Sequence, residues 1–539
     1  MLELLALLGG GAGVWLGLRY RSALAEARRR TEREAAAAEE RRIRECGEVV
    51  LFYANTLGYV ARQAIGRDEL DRLIEGGISP DRLTDLLAER CADVEGPLLG
   101  HQVFGGARLP VCLPESHRTR HVYMVGRSGS GKTTLIRNLV LHDLGAGHGL
   151  AVIAPEAELI EQELLPLMPK ERWDDVVYVN PSDTACPVPL NPLHLDEGED
   201  LDLKVAETLS ILHRLFDEDG AGGGAPRMET ILRQALYCLT QIPGTTLLDL
   251  EPLLDRQDDA FRKRLLQHLP DEEGRHFWSN TYPAYPKDAH LAILNRLGRL
   301  LKPKVVRSLL CSPGEGLNIR RCMDEGKVLL FNLSDGILGE QNAQLLGQLV
   351  VAKIQLAAMS RANAAKDDRR PFYLYVDEFQ SFCSTAASSY EKILSRARKY
   401  GLGLILAHQQ TGQINESVMR EVLGNVSTVV VFNVSASDAR RLSRELVGEL
   451  DGQPVPTEPR ELLSLKVGEA IAKIGRNVLP IVTLPAPASG SERVRDEVVR
   501  RSRQRFGRPL SAKPTTARPS ARTNPTSLDD LDPGEVFRS

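Results

Sequence analysis

The sequence predicts an α/β fold with a mostly parallel sheet, and three observations carry that prediction. Apolar runs rich in β-branched and aromatic residues recur between longer stretches with helical periodicity, the pattern of strands covered on both faces. One of these runs leads directly into a glycine-rich octapeptide and then a helical stretch, a strand–loop–helix order. A block of about 120 residues between the third and fourth runs has helical periodicity and little strand character, as an all-α insertion would.

The chain has 539 residues, a soft prior for two to four domains. Hydrophobic residues make up 42% and charged ones 26%, which excludes wholesale disorder and a multi-span membrane protein. Lys and Arg number 68 against 72 for Asp and Glu, a net charge of -4, so any nucleic-acid binding charge is local. The eight cysteines are far apart, with no zinc-ligand spacing, and suit a reducing compartment. Cys383 and His408 fall near the motifs below; a buried core cysteine is the simpler reading of the first.

Residues 2–18 are apolar except for Glu3 and are followed by Arg19, Arg21 and Arg28 to Arg30. This is the length of a marginal membrane span, and the positive charge behind it places the bulk of the chain in the cytoplasm. An apolar helix packed on protein is the alternative. Residues 19–44, rich in Ala, Glu and Arg, read as a solvated helical stalk, and 49–90 as a small helical or mixed subdomain broken at Gly76, Gly77 and Pro80.

The predicted strands are 121–125, 149–154, 175–179, 327–333, 372–376, 402–407 and 427–434, with insertion helices at 203–216, 228–241 and 289–301. The resulting divisions are a possible transmembrane anchor (1–18), stalk and N-terminal subdomain (19–97), an α/β sheet domain in two segments (98–196 and 319–487), an all-α domain (197–318) and a disordered tail (488–539). The tail is rich in Arg, Pro, Ser and Thr. Its basic residues between Arg493 and Arg522 suit DNA phosphates or an anionic membrane surface, or simply keep the tail soluble; Asp529, Asp530 and Asp532 weakly resemble an acidic docking peptide.

Gly126, Arg127, Ser128, Gly129, Ser130, Gly131, Lys132 and Thr133 fit G-x-x-x-x-G-K-[ST], with Thr134 opening the helix behind them. Glycines let the backbone N–H groups curl around phosphate oxygens, and the helix N-terminus adds positive potential. Lys132 would reach the β- and γ-phosphates of a nucleotide and Thr133 would ligate Mg2+. Asp377 and Glu378 end the apolar run 372–376, Asp377 suited to magnesium and Glu378 to accepting a proton from the attacking water; a helix-capping pair is the alternative. His408, Gln409 and Gln410 end the next run, where an amide would sense the γ-phosphate or simply form a polar strand end. Arg396, Arg398 and Lys399 supply cations, either for charge developing on the phosphoryl group of a neighbouring subunit's site or as a solvated helix end.

Taken together, GRSGSGKT, LYVDEF, SRARKYGLGLILAHQQ and GNVSTVVVFNVSASDARRL resemble the HerA-FtsK superfamily of ring-forming ATPases, and within it the TraD/TraG-type coupling proteins of conjugation and type IV secretion. The resemblance runs from about residue 98 to 485. It implies a RecA-like P-loop NTPase fold, ATP and Mg2+ as cofactors, a homohexamer around single- or double-stranded DNA, relaxase and secretion-channel partners, and inner-membrane association through residues 2–18. By the same resemblance Lys132 and Thr133 form the Walker A pair, Asp377 and Glu378 the Walker B pair, Gln409 is a strand-end sensor, and Arg398, with Arg120 less securely, acts between subunits. The sequence departs from the family at Ala154, Pro155, Glu156, Ala157 and Glu158, where relatives commonly carry an acid in place of Ala154, and it offers one N-terminal span where many relatives have two. Three further readings stay open: a soluble HerA-like translocase of DNA processing or defence, a secretion ATPase acting on protein subunits, and a nucleotide-gated scaffold without turnover.

Overall fold

A computed structural model describes residues 10–56, 67–90, 96–104, 107–196, 199–216, 226–257, 259–312, 316–382, 393–450 and 453–509. The chain separates into two compact units, Met1–Pro114 and Glu115–Ser539.

In the first unit a continuous helix, Gly10–Thr56, is followed by shorter helices Arg67–Glu75 and Pro80–Arg90 and an antiparallel hairpin of β1 (Leu98–Phe104) and β2 (Ala107–Cys112). The polar stretch predicted as a stalk is exposed helix as far as Arg41. The long helix is then tied down by Arg42, whose guanidinium donates to the carbonyls of Ile78 at 2.8 Å and Ile74 at 3.1 Å. Cys46, Val49 and Leu83 are buried there. The hairpin falls in this unit. Residues 1–9, half of the predicted anchor, lie outside the described residues.

The second unit is built on a sheet with strand order β13-β12-β9-β3-β8-β7-β4-β6-β5. Its strands are β3 (Val122–Val125), β4 (Gly149–Ala154), β5 (Val176–Val179), β6 (Val328–Asn332), β7 (Phe372–Val376), β8 (Leu402–His408), β9 (Thr428–Val431), β12 (Glu469–Ile474) and β13 (Asn477–Thr483). The run from β9 to β5 is parallel, while β12 pairs antiparallel with both β9 and β13. The remaining strands, β10 (Val447–Leu450) and β11 (Gln453–Pro456), form a separate hairpin. Strands β3 to β8 are buried along their whole length, as continuous apolar runs require in a sheet covered on both faces.

Between β5 and β6 the described residues contain helices and turns only, including Leu201–Phe216, Pro226–Thr240 and Leu291–Leu301. The helix Glu340–Ser360 packs on Leu201–Phe216 and on the turn Phe379–Phe382. Among the described residues, Glu340–Asn363 is the stretch long and apolar enough to cross a membrane, and 72% of its most apolar window is buried inside the fold. It is a core helix.

The expected disordered tail over 488–539 requires correction. Glu492–Phe506 is a helix, with Val498 and Ser502 buried on the face that carries Val494 and Phe506. That four-residue spacing is hidden in the sequence by the arginines around it. The helix covers the edge strand β5: the Tyr178 N–H donates to Ser502 Oγ at 2.7 Å, which protects a backbone group that an open edge would leave unpaired. Several arginines assigned to phosphate binding are paired within the chain, Arg501 with Asp174, Arg503 with Asp183 and Arg500 with Glu497. Residues 510–539, including Asp529 to Asp532, lie outside the described residues.

Candidate active site

The parallel strands β3, β8 and β7 end side by side, and each delivers one part of the site. At the end of β3 the loop turns through Gly129 (φ 72°) and Gly131 (φ 117°), conformations that favour glycine. A Cβ at Gly126 would lie 2.6 Å from the Cβ of Phe432 and 2.8 Å from Ser130 Oγ, so close packing also demands glycine there. The loop is held by backbone bonds from Arg127 N–H to the Asn433 carbonyl at 2.8 Å and from Gly468 N–H to the Ser130 carbonyl at 3.0 Å. Arg127, Ser128 and Gly129 face solvent, Ser130 and Lys132 are buried, and Gly131, Thr133 and Thr134 are half-buried at the start of the helix Lys132–Gly145.

Lys132 Nζ donates to the carbonyls of Gly126 at 2.7 Å and Arg127 at 3.1 Å, so the ammonium lies folded over the loop it serves. Burial lowers its pKa, against the opposing charges of Glu378, Asp377 and Glu156. Glu156 therefore acts electrostatically on the site even though Ala154 stands where an acid was expected; Ala154 itself is buried at the end of β4.

Thr133 Oγ1 lies 3.4 Å from Asp377 Oδ2. Burial and the neighbouring Glu378 carboxylate raise the Asp377 pKa to about 6. A hydroxyl and a carboxylate converging beside a phosphate-binding loop form the all-oxygen donor set that suits Mg2+. Because the metal needs the carboxylate ionised, Mg2+-dependent nucleotide affinity is expected to fall as pH drops through about 6. Titrating affinity between pH 5 and 8 checks this; a flat profile below pH 6 contradicts it.

Glu378 has φ 47°, a left-handed backbone that costs a non-glycine residue about 1–3 kcal/mol and is sustained by its surroundings. Its N–H donates to Asp377 Oδ1 at 3.0 Å. Its carboxylate accepts from Gln409 Nε2 at 2.9 Å on Oε1 and from Gln380 Nε2 at 2.5 Å on Oε2. The structure thus joins the acid pair and the strand-end amide. It also shows β8 lying between β3 and β7, so Gln409 ends the strand next to the loop strand and the carboxylates end the strand beyond it.

The end of β8 is anchored on both sides. His408 Nε2 meets the Tyr123 hydroxyl of β3, and burial lowers the His408 pKa to about 3, so the ring is neutral. Thr411 donates through its N–H and hydroxyl to buried Asp438, at 3.2 and 2.5 Å.

Arg120 and Arg398 occupy the other end of the sheet. Both are exposed, Arg120 just before β3 and Arg398 in the turn Ala397–Tyr400 just before β8. The length of β8, Leu402–His408, puts about 20 Å between Arg398 and the catalytic end of its own strand. Neither arginine can reach the phosphate loop of its own chain. Sequence reasoning missed Gln380, whose only signal is an amide two residues beyond the acid pair. Cys383 lies outside the described residues.

Residues 371–452, from β7 through β10, match the family described as the TraM recognition site of TraD and TraG. This segment resembles the TraD/TraG family. Its boundaries enclose Asp377, Glu378, Arg398 and Gln409. The plasmid coupling protein TrwB in complex with the ATP analogue ADPNP is similar in structure, at 17% identity over 75% of this chain and 93% of that one, with a TM-score of 0.49. TrwB with ADP and Mg2+ gives 17% identity over 75% and 92%, with a TM-score of 0.49. VirB4 of Thermoanaerobacter pseudethanolicus gives 17% identity over 73% and 98%, with a TM-score of 0.48. No curated protein matches in sequence.

Proposed function

We propose that this TraD/TraG-type chain is an ATPase that uses hydrolysis to move DNA, or a protein–DNA complex, toward a type IV secretion channel. The observation that carries the ATPase reading is the joining of Lys132, Thr133, Asp377, Glu378 and Gln409 at the ends of three neighbouring parallel strands. The loop N–H groups and the N-terminus of Lys132–Gly145 bind the phosphates. Lys132 leaves the Gly126 carbonyl for the β- and γ-phosphate oxygens. Thr133 and Asp377 would hold Mg2+, which would supply charge neutralisation at the phosphates. Glu378 takes the proton of the attacking water, and Gln409, bonded to the same carboxylate, carries the change at the γ-phosphate back along β8.

Placement of Arg120 and Arg398 at the far end of the sheet supports action in a neighbouring subunit's site, and hence a ring; a homohexamer is the assembly proposed. Residues 98–196 and 319–487 act as the motor and 197–318 as its all-α domain. The N-terminal segment tethers the ring to the inner membrane, with the motor in the cytoplasm and a relaxase–DNA complex and channel components as partners.

The deciding experiment measures ATP turnover against single-stranded and duplex DNA at low salt, together with particle mass. DNA-stimulated turnover by a ring-sized particle is the expected result. Turnover that no DNA stimulates removes the translocase reading and favours an ATPase that acts on protein subunits.

A further inference from the structure

Gln380 stands outside the roles assigned above, yet it makes as direct a contact with Glu378 as Gln409 does. The two amides take one carboxylate oxygen each. With one side-chain donor on each oxygen and the backbone of Glu378 in a left-handed conformation, the carboxylate is held in a fixed orientation, although each oxygen keeps a lone pair that could accept from a water.

The two amides have different supports. Gln409 continues β8, which is fixed between β3 and β7. Gln380 sits in the short turn Phe379–Phe382, whose two phenylalanines are fully buried. Phe382 lies against Gly347 of the helix Glu340–Ser360, so closely that a Cβ at Gly347 would collide with its ring. That helix also packs on Leu201–Phe216 of the helical insertion. A continuous chain of packed groups therefore runs from the insertion, through the long helix and Phe382, to the amide on Glu378.

We propose that Gln380 is a positioning residue that, with Gln409, clamps Glu378 in an idle geometry, and that movement of the Glu340–Ser360 helix releases the clamp. The inference rests on Glu378 being the base that activates water. Displacing Phe382 withdraws the Gln380 amide, frees one carboxylate oxygen and lets Glu378 turn toward the water, while Gln409 stays in place. Insertion movement is thereby coupled to hydrolysis through one hydrogen bond.

The test compares wild type, Gln380→Met and Gln380→Ala in the full chain. Turnover without DNA, the KM for ATP and the affinity for a fluorescent ATP analogue are measured. Removing the donor is expected to raise unstimulated kcat by about threefold or more, with KM and affinity within about twofold of wild type. Gly347→Ala, which pushes on Phe382 without substituting Gln380, is expected to raise the same rate. Unstimulated kcat that stays the same or falls in the two Gln380 variants while analogue affinity is kept overturns the clamp. Should the Gln380 variants lose affinity through misfolding, the Gly347→Ala rate decides by the same criterion. Wild-type protein with no more turnover than Glu378→Gln instead overturns the ATPase reading on which the clamp rests, so the two failures are separate.

Discussion

Glu378→Gln is expected to lower ATP turnover by about two to four orders of magnitude while leaving the nucleotide bound. The substitution preserves size and shape but removes the basic oxygen that takes the proton of water. It leaves Lys132, Thr133 and Asp377 in place, and these carry the phosphates and the metal. The expected signature is thus a loss in kcat with affinity for ATP nearly unchanged, and ATP trapped on the protein. Lys132→Ala gives the contrasting result. Its ammonium is the buried cation of the loop, and losing it removes binding itself. Phosphate release and retention of labelled ATP distinguish the two. If Glu378→Gln hydrolyses ATP at the wild-type rate, either another group activates water or the chain is a nucleotide-gated scaffold. A measurable wild-type rate separates those outcomes.

The parts of this site that were legible in the sequence are those set by local pattern. The loop from Gly126 to Thr133 announces itself because each position answers to phosphate geometry, and Phe372–Val376 announces Asp377 because a buried parallel strand is apolar throughout. The strand order is not local. That β8 lies between β3 and β7 depends on which crossovers the helices make, so the direct bond between Gln409 and Glu378 appears only in the fold. The antiparallel pair β12 and β13 also escaped the sequence reading; β13 contains Pro480, which weakens its strand signal. The helix Glu492–Phe506 was lost among arginines because composition outweighed a stripe of only three apolar residues. Gln380 was invisible because a lone glutamine in a turn has no signature until its carboxylate partner is seen.

The largest expected effect on stability comes from groups with no sequence signal. Arg118 is fully buried ahead of β3 and makes an ion pair with fully buried Asp143, on the helix that follows the phosphate loop. Its guanidinium also donates to the Tyr375 hydroxyl at 2.7 Å and lies 3.6 Å from the centroid of the Tyr373 ring. Tyr375 in turn donates to Asp143 Oδ2 at 2.6 Å, and His148 Nδ1 lies 3.1 Å from Oδ1. Burial by itself would raise the Asp143 pKa, but the His148 hydrogen bond and the Arg118 charge outweigh it and hold the carboxyl below its ordinary value. A depressed carboxylate stabilises the fold above its unfolded pKa, and that contribution is lost as pH falls through the folded value. Asp143→Ala strands a guanidinium in the core and is expected to cost about 3–5 kcal/mol. The double replacement Arg118→Met with Asp143→Leu is expected to cost much less, since it removes both charges and refills the space. Urea midpoints for Arg118→Met alone, Asp143→Leu alone and the two together give the coupling; additive losses would mean that the pair is not a unit. Tyr375 is two residues before Asp377, and Asp143 lies on the helix that Lys132 begins. Breaking this network should therefore loosen the phosphate loop and the acidic strand relative to each other, weakening nucleotide binding under conditions in which the chain is still folded.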